Sequence, residues 1–263
     1  MLCTVAVIQT NSRDNIAANK AQIERLVQQA AQDGAELVVL PEMCLTMDGA
    51  QYAQLAADRT VPEWFAALAA RYGIWILAGA VPQPCPDDDP RVRSALLVFN
   101  SQGDLVSRYD KVHLFDVDVA DSQGSYRESE RFAPGEDLVV VDTPAGRIGL
   151  SICFDLRFPE QFQALRQQGA ELLVVPAAFT HTTGEAHWEI LLRARAIETQ
   201  CFVLAANQCG WHDEKRRTWG HSMIIDPWGR VLGSCADEIG FALATPDLQS
   251  LRDIRAQMPL KRS

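Results

Sequence analysis

Long hydrophobic runs are missing from this chain. No stretch approaches the roughly 18 uninterrupted apolar residues that cross a bilayer. Met1-Leu2-Cys3-Thr4-Val5-Ala6-Val7-Ile8 has neither the charged start nor the small-residue cleavage site of a secretion signal, so a soluble, cytoplasmic protein is expected. Cationic charge is also short: 24 Lys and Arg stand against 34 Asp and Glu, a formal net charge of −10. Binding to nucleic acid or to an anionic membrane relies on clustered positive charge and is disfavoured. A small-molecule partner fits better. The five histidines (113, 181, 187, 212 and 221) form no His-Glu-x-x-His motif and no His/Cys pairing at ligand spacing, so no metal is implied. Gly-x-Gly-x-x-Gly and phosphate-loop patterns are absent too, and no cofactor is expected. The seven cysteines (3, 44, 85, 153, 201, 209 and 235) are odd in number, lack Cys-x-x-Cys spacing and mostly lie in or beside apolar runs. They read as reduced thiols rather than disulfides.

What is present is a large apolar fraction, 48% of 263 residues, enough to bury one sizeable core, and residues 1–263 are read as a single domain. Short apolar runs alternate with helical periodicity. Residues 2–9 read as a buried strand. Ile16, Ile23, Leu26, Val27 and Ala30 then share a helix face, with Asp14 or Asn15 as N-cap and Gly34 as the stop. Strand 36–40, helix 62–71 and strand 74–81 follow, and the proline-rich stretch Pro82 to Pro90 reads as an exposed loop barred from a sheet. A hairpin joins strands 93–99 and 105–109 through Asn100 to Asp104. Residues 116–137 read as a long irregular stretch of the kind that is often functional. Beyond it come strand 138–142, a helix from Pro159, a helix at about 186–200, strand 201–206, strands 221–225 and 231–235, a strand near 240–244 and a helix from Pro246. Gly34-Ala35-Glu36-Leu37-Val38-Val39-Leu40-Pro41-Glu42 and Gly169-Ala170-Glu171-Leu172-Leu173-Val174-Val175-Pro176-Ala177 follow one plan. The repeat suggests two halves related by approximate symmetry, in an α/β protein with helices on both outer surfaces.

Three strand ends carry chemistry. An apolar strand runs into Cys153 and breaks toward the helix opened by Pro159, which puts the thiol on a turn beside free N–H groups. Glu42 emerges where strand 36–40 stops, and Lys111 ends the strand that begins at Leu105. Each alone is unremarkable: a buried thiol, a surface acid, a solvated lysine. Together they are complementary. A thiol with an ordinary pKa near 8.5 needs a base to attack a carbonyl or nitrile carbon, and Glu42 is the candidate. Lys111 and the N–H of Phe154 are candidates for stabilising the resulting oxyanion. The competing Gly-x-Ser-x-Gly reading of residues 149–153 fails at its last glycine, and Ser151 alternates away from the turn.

On Leu-Pro-Glu42, Tyr-Asp-Lys111-Val-His-Leu and Gly-Leu-Ser-Ile-Cys153-Phe-Asp-Leu-Arg-Phe-Pro-Glu, the chain resembles the nitrilase superfamily of carbon-nitrogen hydrolases from Val5 nearly to its end. The resemblance implies a four-layer αββα sandwich, usually dimerised through a helical layer. It also implies an amidase in which Glu42 is the base, Lys111 steadies the oxyanion and Cys153 is acylated. A second glutamate of that family matches Glu128, before Phe132-Ala133-Pro134-Gly135. Residues 188–201 and 208–223 are most similar to the branch that hydrolyses deaminated glutathione. The omega-amidases that act on α-ketoglutaramate are the alternative, as is a noncatalytic binding or scaffold relative. Both substrates are anionic α-keto amides, so Arg157, Lys215, Arg216 and Arg217 are candidate substrate contacts, together with Thr183 and His187 from the stretch Thr180 to His187.

Overall fold

The computed structural model describes residues 2–85 and 89–260. In chain order the strands are β1 (Val5–Gln9), β2 (Leu37–Leu40), β3 (Trp75–Pro84), β4 (Val92–Phe99), β5 (Leu105–Asp110), β6 (Asp116–Asp118), β7 (Ser125–Arg127), β8 (Val140–Thr143), β9 (Gly146–Leu150), β10 (Leu172–Ala177), β11 (Phe202–Asn207), β12 (Cys209–Trp211), β13 (Arg217–Trp219), β14 (Met223–Ile225), β15 (Val231–Ser234) and β16 (Gly240–Ala244). The α-helices are α1 (Ile16–Gln32), α2 (Tyr52–Ala57), α3 (Thr60–Tyr72), α4 (Pro159–Gln167), α5 (His181–Thr199) and α6 (Leu248–Gln257).

Two six-stranded sheets carry the fold. One runs β16-β1-β2-β3-β4-β5 and the other β15-β14-β11-β10-β9-β8. Read from its closing edge strand, each has three parallel strands (β1-β2-β3 or β9-β10-β11), then an antiparallel pair, with the edge strand antiparallel on the other side. The repeated plan around Gly34 and Gly169 is therefore a duplicated half-sheet, with β2 and β10 in equivalent places. Strand alternation splits the core. Val5, Val7, Leu37 and Val39 face the second sheet, in one cluster with Leu150, Leu172 and Val174. Ala6, Ile8, Val38 and Leu40 face outward and pack with Ile23 and Leu26 of α1 and Phe65 of α3. On the far side Phe162 and Leu165 of α4 and Trp188 and Leu192 of α5 cover the second sheet. The layers are thus helix, sheet, sheet, helix. The sheets meet tightly at Gly79, where a Cβ would lie 2.5 Å from Pro176 of β10, so only glycine allows that approach.

Several expectations need correction. β3 continues to Pro84, with Pro82 opposite Ser94 and Pro84 opposite Val92. β2 ends opposite Ala78, so the rest of β3 is an edge, where a missing N–H costs no ladder bond. Residues 86–88 of the supposed loop lie outside the described residues. The helix expected at 186–200 starts at His181, because Thr180 caps it by accepting from Thr183 N–H. The stretch 116–137 is not irregular throughout: it holds the β6/β7 hairpin and a short helical turn, Glu128–Glu130. Of the two N-cap candidates, Asn15 is used, accepting from Ala18 N–H. Among the described residues no helix is long and apolar enough to cross a membrane.

Candidate active site

Glu42, Lys111 and Cys153 come together at the carboxyl ends of the parallel strands. Glu42 lies just past β2, Lys111 just past β5, and Cys153 opens a short helical turn, Cys153–Arg157, after β9. All three are buried, Lys111 to 2% exposure and Cys153 to 8%. Lys111 Nζ donates to Glu42 Oε1 at 2.8 Å and to both oxygens of Glu128, at 2.9 and 2.8 Å. Glu128 is thus brought to the lysine, and its Oε2 also accepts from Phe115 N–H at 2.6 Å. The other oxygen of Glu42 accepts from Ala178 N–H at 3.0 Å.

The backbone is strained where it presents these groups. Cys153 has φ 47° and Met43, next to Glu42, φ 55°, both in the left-handed region that non-glycine residues avoid. Such strain costs on the order of 1–3 kcal/mol per residue and persists only where the surroundings impose it. At Cys153 the surroundings are identifiable. Asp155 is fully buried. Its Oδ2 accepts from Ile152 N–H at 2.8 Å and from Tyr109 hydroxyl at 2.7 Å, and its Oδ1 accepts from His113 N–H at 3.0 Å. Arg195, buried on α5, donates twice to the Leu156 carbonyl, at 3.0 and 2.7 Å. The turn that carries Cys153 is therefore pinned from both sides, while Phe154, its second residue, carries an N–H of the kind a helical start leaves unpaired within the helix. Lys111 is pinned through its backbone: its N–H donates to Ser94 and its carbonyl accepts from Gly135 N–H at 2.8 Å. A Cβ on Gly135 would sit 2.2 Å from the Asp110 carbonyl, so this approach requires glycine.

The electrostatics follow from burial. Burial opposes the charge on Lys111, but Glu128 and Glu42 outweigh it and hold the ammonium's pKa well above its ordinary value. Burial, with the nearby charge of Glu42, pushes the Cys153 thiol well up, against the opposing pull of Lys111. The same burial raises Glu128, with Lys111 pulling the other way. A protonated thiol beside a carboxylate, an ammonium and backbone donors can attack an electrophilic carbon once the carboxylate takes its proton.

The group lies at the bottom of a cleft of about 880 Å³, open mouth included. Of the substrate-contact candidates from the sequence, Arg157, Thr183 and Arg216 line it. Lys215 and His187 do not. Lys215 sits in the turn after Asp213, where its N–H donates to Asp213 Oδ1 at 2.7 Å. His187 faces the outer side of Arg157, whose guanidinium nitrogens reach its Nδ1 at 3.4 Å. Arg157 itself spreads over the Phe154 and Phe179 rings, at 5.9 and 5.4 Å. Arg217, also a candidate from the sequence, lines the cleft too; sequence reasoning missed Arg127 and Arg131, which line it as well, and it missed Ala178 and Asp155. Asp155 left a signal, an acid inside an otherwise apolar segment; Ala178 left none, since its contribution is a main-chain N–H. Ser151 is buried with its hydroxyl donated to Val174 O at 2.7 Å, away from the cleft.

Comparison with known proteins adds to this geometry. The family model described as "Carbon-nitrogen hydrolase" matches residues 4–256. Deaminated glutathione amidase of Yersinia enterocolitica is 47% identical over 260 residues, 97% of this chain and 91% of that protein. Among solved structures, the NitFhit protein of C. elegans superposes with a TM-score of 0.92 at 38% identity, over 98% of this chain and 64% of the longer NitFhit chain. Saccharomyces cerevisiae Nit3, a member of branch 10 of the nitrilase superfamily, gives a TM-score of 0.89 at 27% identity over 100% of this chain and 96% of its own.

Proposed function

This chain belongs to the carbon-nitrogen hydrolase family, and from that premise we propose that it is an amidase of deaminated glutathione working through Cys153, Glu42 and Lys111. The observation that carries the catalytic part is the burial of Lys111 between two carboxylates beside the thiol at the bottom of the cleft. Cys153 Sγ adds to the amide carbonyl carbon while Glu42 takes the thiol proton. The oxyanion forms against the Lys111 ammonium and the Phe154 N–H, each preorganised donor being worth about 3 kcal/mol. The C–N bond breaks as Glu42 passes the proton it took from the thiol to the leaving nitrogen, giving a thioester, free amine or ammonia, and an unprotonated Glu42. Water then adds to the thioester as Glu42 accepts its proton, and the acid leaves with the thiol restored. Glu128 holds Lys111 in place throughout.

The substrate class rests on charge. Although the chain carries −10 overall, six cationic side chains (Lys111, Arg127, Arg131, Arg157, Arg216 and Arg217) and two carboxylates line the cleft. A cleft of opposite sign to the molecule favours a carboxylate-bearing amide, and the relative named for deaminated glutathione points to that one. The same reading takes residues 1–263 as one domain of a cytoplasmic homodimer. Exposed Ile190 and Ile197 on α5, with Trp228 in the turn before β15, supply an apolar surface for the second copy.

Product release from deaminated glutathione, α-ketoglutaramate and a simple nitrile, compared by kcat/KM, tests the proposal. Preference for deaminated glutathione supports it, and preference for α-ketoglutaramate reassigns the chain to the omega-amidases. No hydrolysis of any amide returns it to a binding role.

A further inference from the structure

Gln208, just past β11, is fully buried and does not line the cleft. Its side chain nevertheless reaches the base. Nε2 donates to the main-chain oxygen of Glu42 at 3.0 Å and to Ser12 Oγ at 2.9 Å; Oε1 accepts from Thr10 Oγ1 and from Ser12 N–H, each at 3.0 Å. A primary amide has two donor hydrogens and two acceptor lone pairs, and all four are used. The reverse orientation would set oxygen against the Glu42 carbonyl and NH2 against the Ser12 N–H, so the amide has one workable placement.

The contact falls where the backbone needs holding. Met43, the next residue, sits at φ 55°, and Ser12 Oγ donates to the Cys44 carbonyl at 2.8 Å. Gln208 and Ser12 thus clamp two carbonyls around the strained residue. The main chain of Gln208 serves the other sheet: its N–H donates to the Ala177 carbonyl at 3.0 Å, and Thr10 and Gln208 form a parallel bridge between the ends of β1 and β11. Ala177 precedes Ala178, whose N–H holds the Glu42 carboxylate. One residue therefore ties both the main chain of Glu42 and the segment that grips its side chain.

We infer that Gln208 is a positioning residue for the hydrolysis, fixing the Glu42 carboxylate on the Cys153 thiol from outside the cleft. The inference rests on the roles given to Glu42 and Cys153 above. Since Gln208 does not itself line the cleft and meets it only through the main chain of Glu42, its loss acts on the chemical step and leaves the binding surface intact.

Gln208→Met keeps the side-chain length and removes all four hydrogen bonds, while Gln208→Glu keeps the acceptors and loses the donor to Glu42. Both are compared with wild type and Cys153→Ala for kcat and KM on deaminated glutathione, with active sites titrated by iodoacetamide and alkylation of the Cys153 peptide followed against pH. The expected result is a kcat lower by on the order of 10²-fold, a KM within about twofold, and Cys153 alkylation slowed over the whole pH range. A wild-type kcat in folded Gln208→Met, or a KM that rises as much as kcat falls, overturns the inference. Should Gln208→Met not fold, the same readings on Gln208→Glu and Ser12→Ala decide it. Retained activity in Cys153→Ala instead sinks the reading of the site itself, so the two failures are distinguishable.

Discussion

The N–H of Ala178 donates to Glu42 Oε2 across 3.0 Å, and the two residues belong to opposite sheets. Glu42 follows β2 and Ala178 follows β10, the equivalent strands of the two halves. Lys111 occupies the carboxylate's other oxygen. The site is therefore complete only when the sheets are stacked, with every partner of Glu42 aimed as a donor. Glu42→Gln puts an NH2 against one of those donors and removes the carboxylate proposed as the base. It should lower kcat by at least about 10³-fold, near the upper range of general-base contributions, with the fold retained by circular dichroism. A variant within tenfold of wild type excludes Glu42 as the base.

Cys153 should be a thiol, not a thiolate, in the resting protein, because burial and Glu42 hold its pKa well above the ordinary value. The sign is testable. Thiolate absorbance near 240 nm, taken as wild type minus Cys153→Ala, should show no step as pH rises through the ordinary thiol range near 8.5. Cys153→Ala and Cys153→Ser should abolish turnover. A titration step at or below pH 8 would contradict a mechanism in which Glu42 takes the proton during attack.

Lys111→Met leaves Glu42 and Glu128 facing each other without their cation. Removing one partner of a buried ion pair costs about 3–5 kcal/mol, so the variant should lose stability in urea as well as several orders of magnitude in kcat. Lys111→Arg should rescue little, since a planar guanidinium does not fit a pocket built around one nitrogen. Undiminished stability in Lys111→Met would mean the carboxylates do not depend on the lysine.

His212 adds a pH dependence of stability. It is clamped between the Ser12 carbonyl and Thr218 Oγ1, both at 2.7 Å, and burial pulls its pKa down to about 4, with Arg216 pulling the same way and the Ser12 carbonyl and Asp213 opposing. Between the ordinary value near 6.5 and about 4, the unfolded chain binds a proton that the folded chain refuses. Stability therefore falls as pH drops through that window and is unaffected above about pH 7. Urea unfolding at pH 7.5 and 4.5 should show wild type losing about 2–3 kcal/mol more than His212→Gln. Equal losses in the two proteins would show that His212 is not held neutral.

How much of this was legible depends on what made each contact. Lys111 follows the mixed stretch Leu105 to Asp110 and stood out only through its motif Tyr-Asp-Lys-Val-His-Leu, whereas Glu42 and Cys153 could be read as candidates because each is a charged or reactive residue where an apolar strand ends. The duplicated halves were visible in the Gly34 and Gly169 segments for the same reason. Pro82 and Pro84 misled because proline bars a strand only where a neighbour needs its N–H, and whether β3 has a neighbour there depends on where β2 stops. His181 to Glu185 look unhelical locally, and the Thr180 cap plus packing on the second sheet override that propensity. Lys215 and Arg216 are adjacent and equally cationic, yet only one faces the cleft, a difference set by the β12/β13 turn that pattern alone did not reveal. Gln208 was read as part of a family-like segment and its reach to Glu42 went unseen, since a parallel bridge across 198 residues to Thr10 leaves no local trace.

Specificity gives the last expectation. Arg131 and Arg157 line the cleft and Lys215 does not, so the three separate a cleft effect from a general charge effect. A charge-assisted hydrogen bond to a substrate carboxylate that persists in the transition state is worth about 1.5–3 kcal/mol, or roughly 10- to 150-fold in rate. Arg131→Gln and Arg157→Gln should each lower kcat/KM for deaminated glutathione toward that range while leaving a small neutral amide within about twofold. Lys215→Gln changes the same net charge from outside the cleft and should leave both substrates within about twofold. If all three variants slow the anionic substrate equally, attraction by the whole surface is responsible, and raising the salt concentration should then erase the difference between substrates. If Arg131→Gln and Arg157→Gln spare the anionic substrate, the cleft arginines do not read its carboxylates, and the assignment to a carboxylate-bearing amide falls while the thiol chemistry stands.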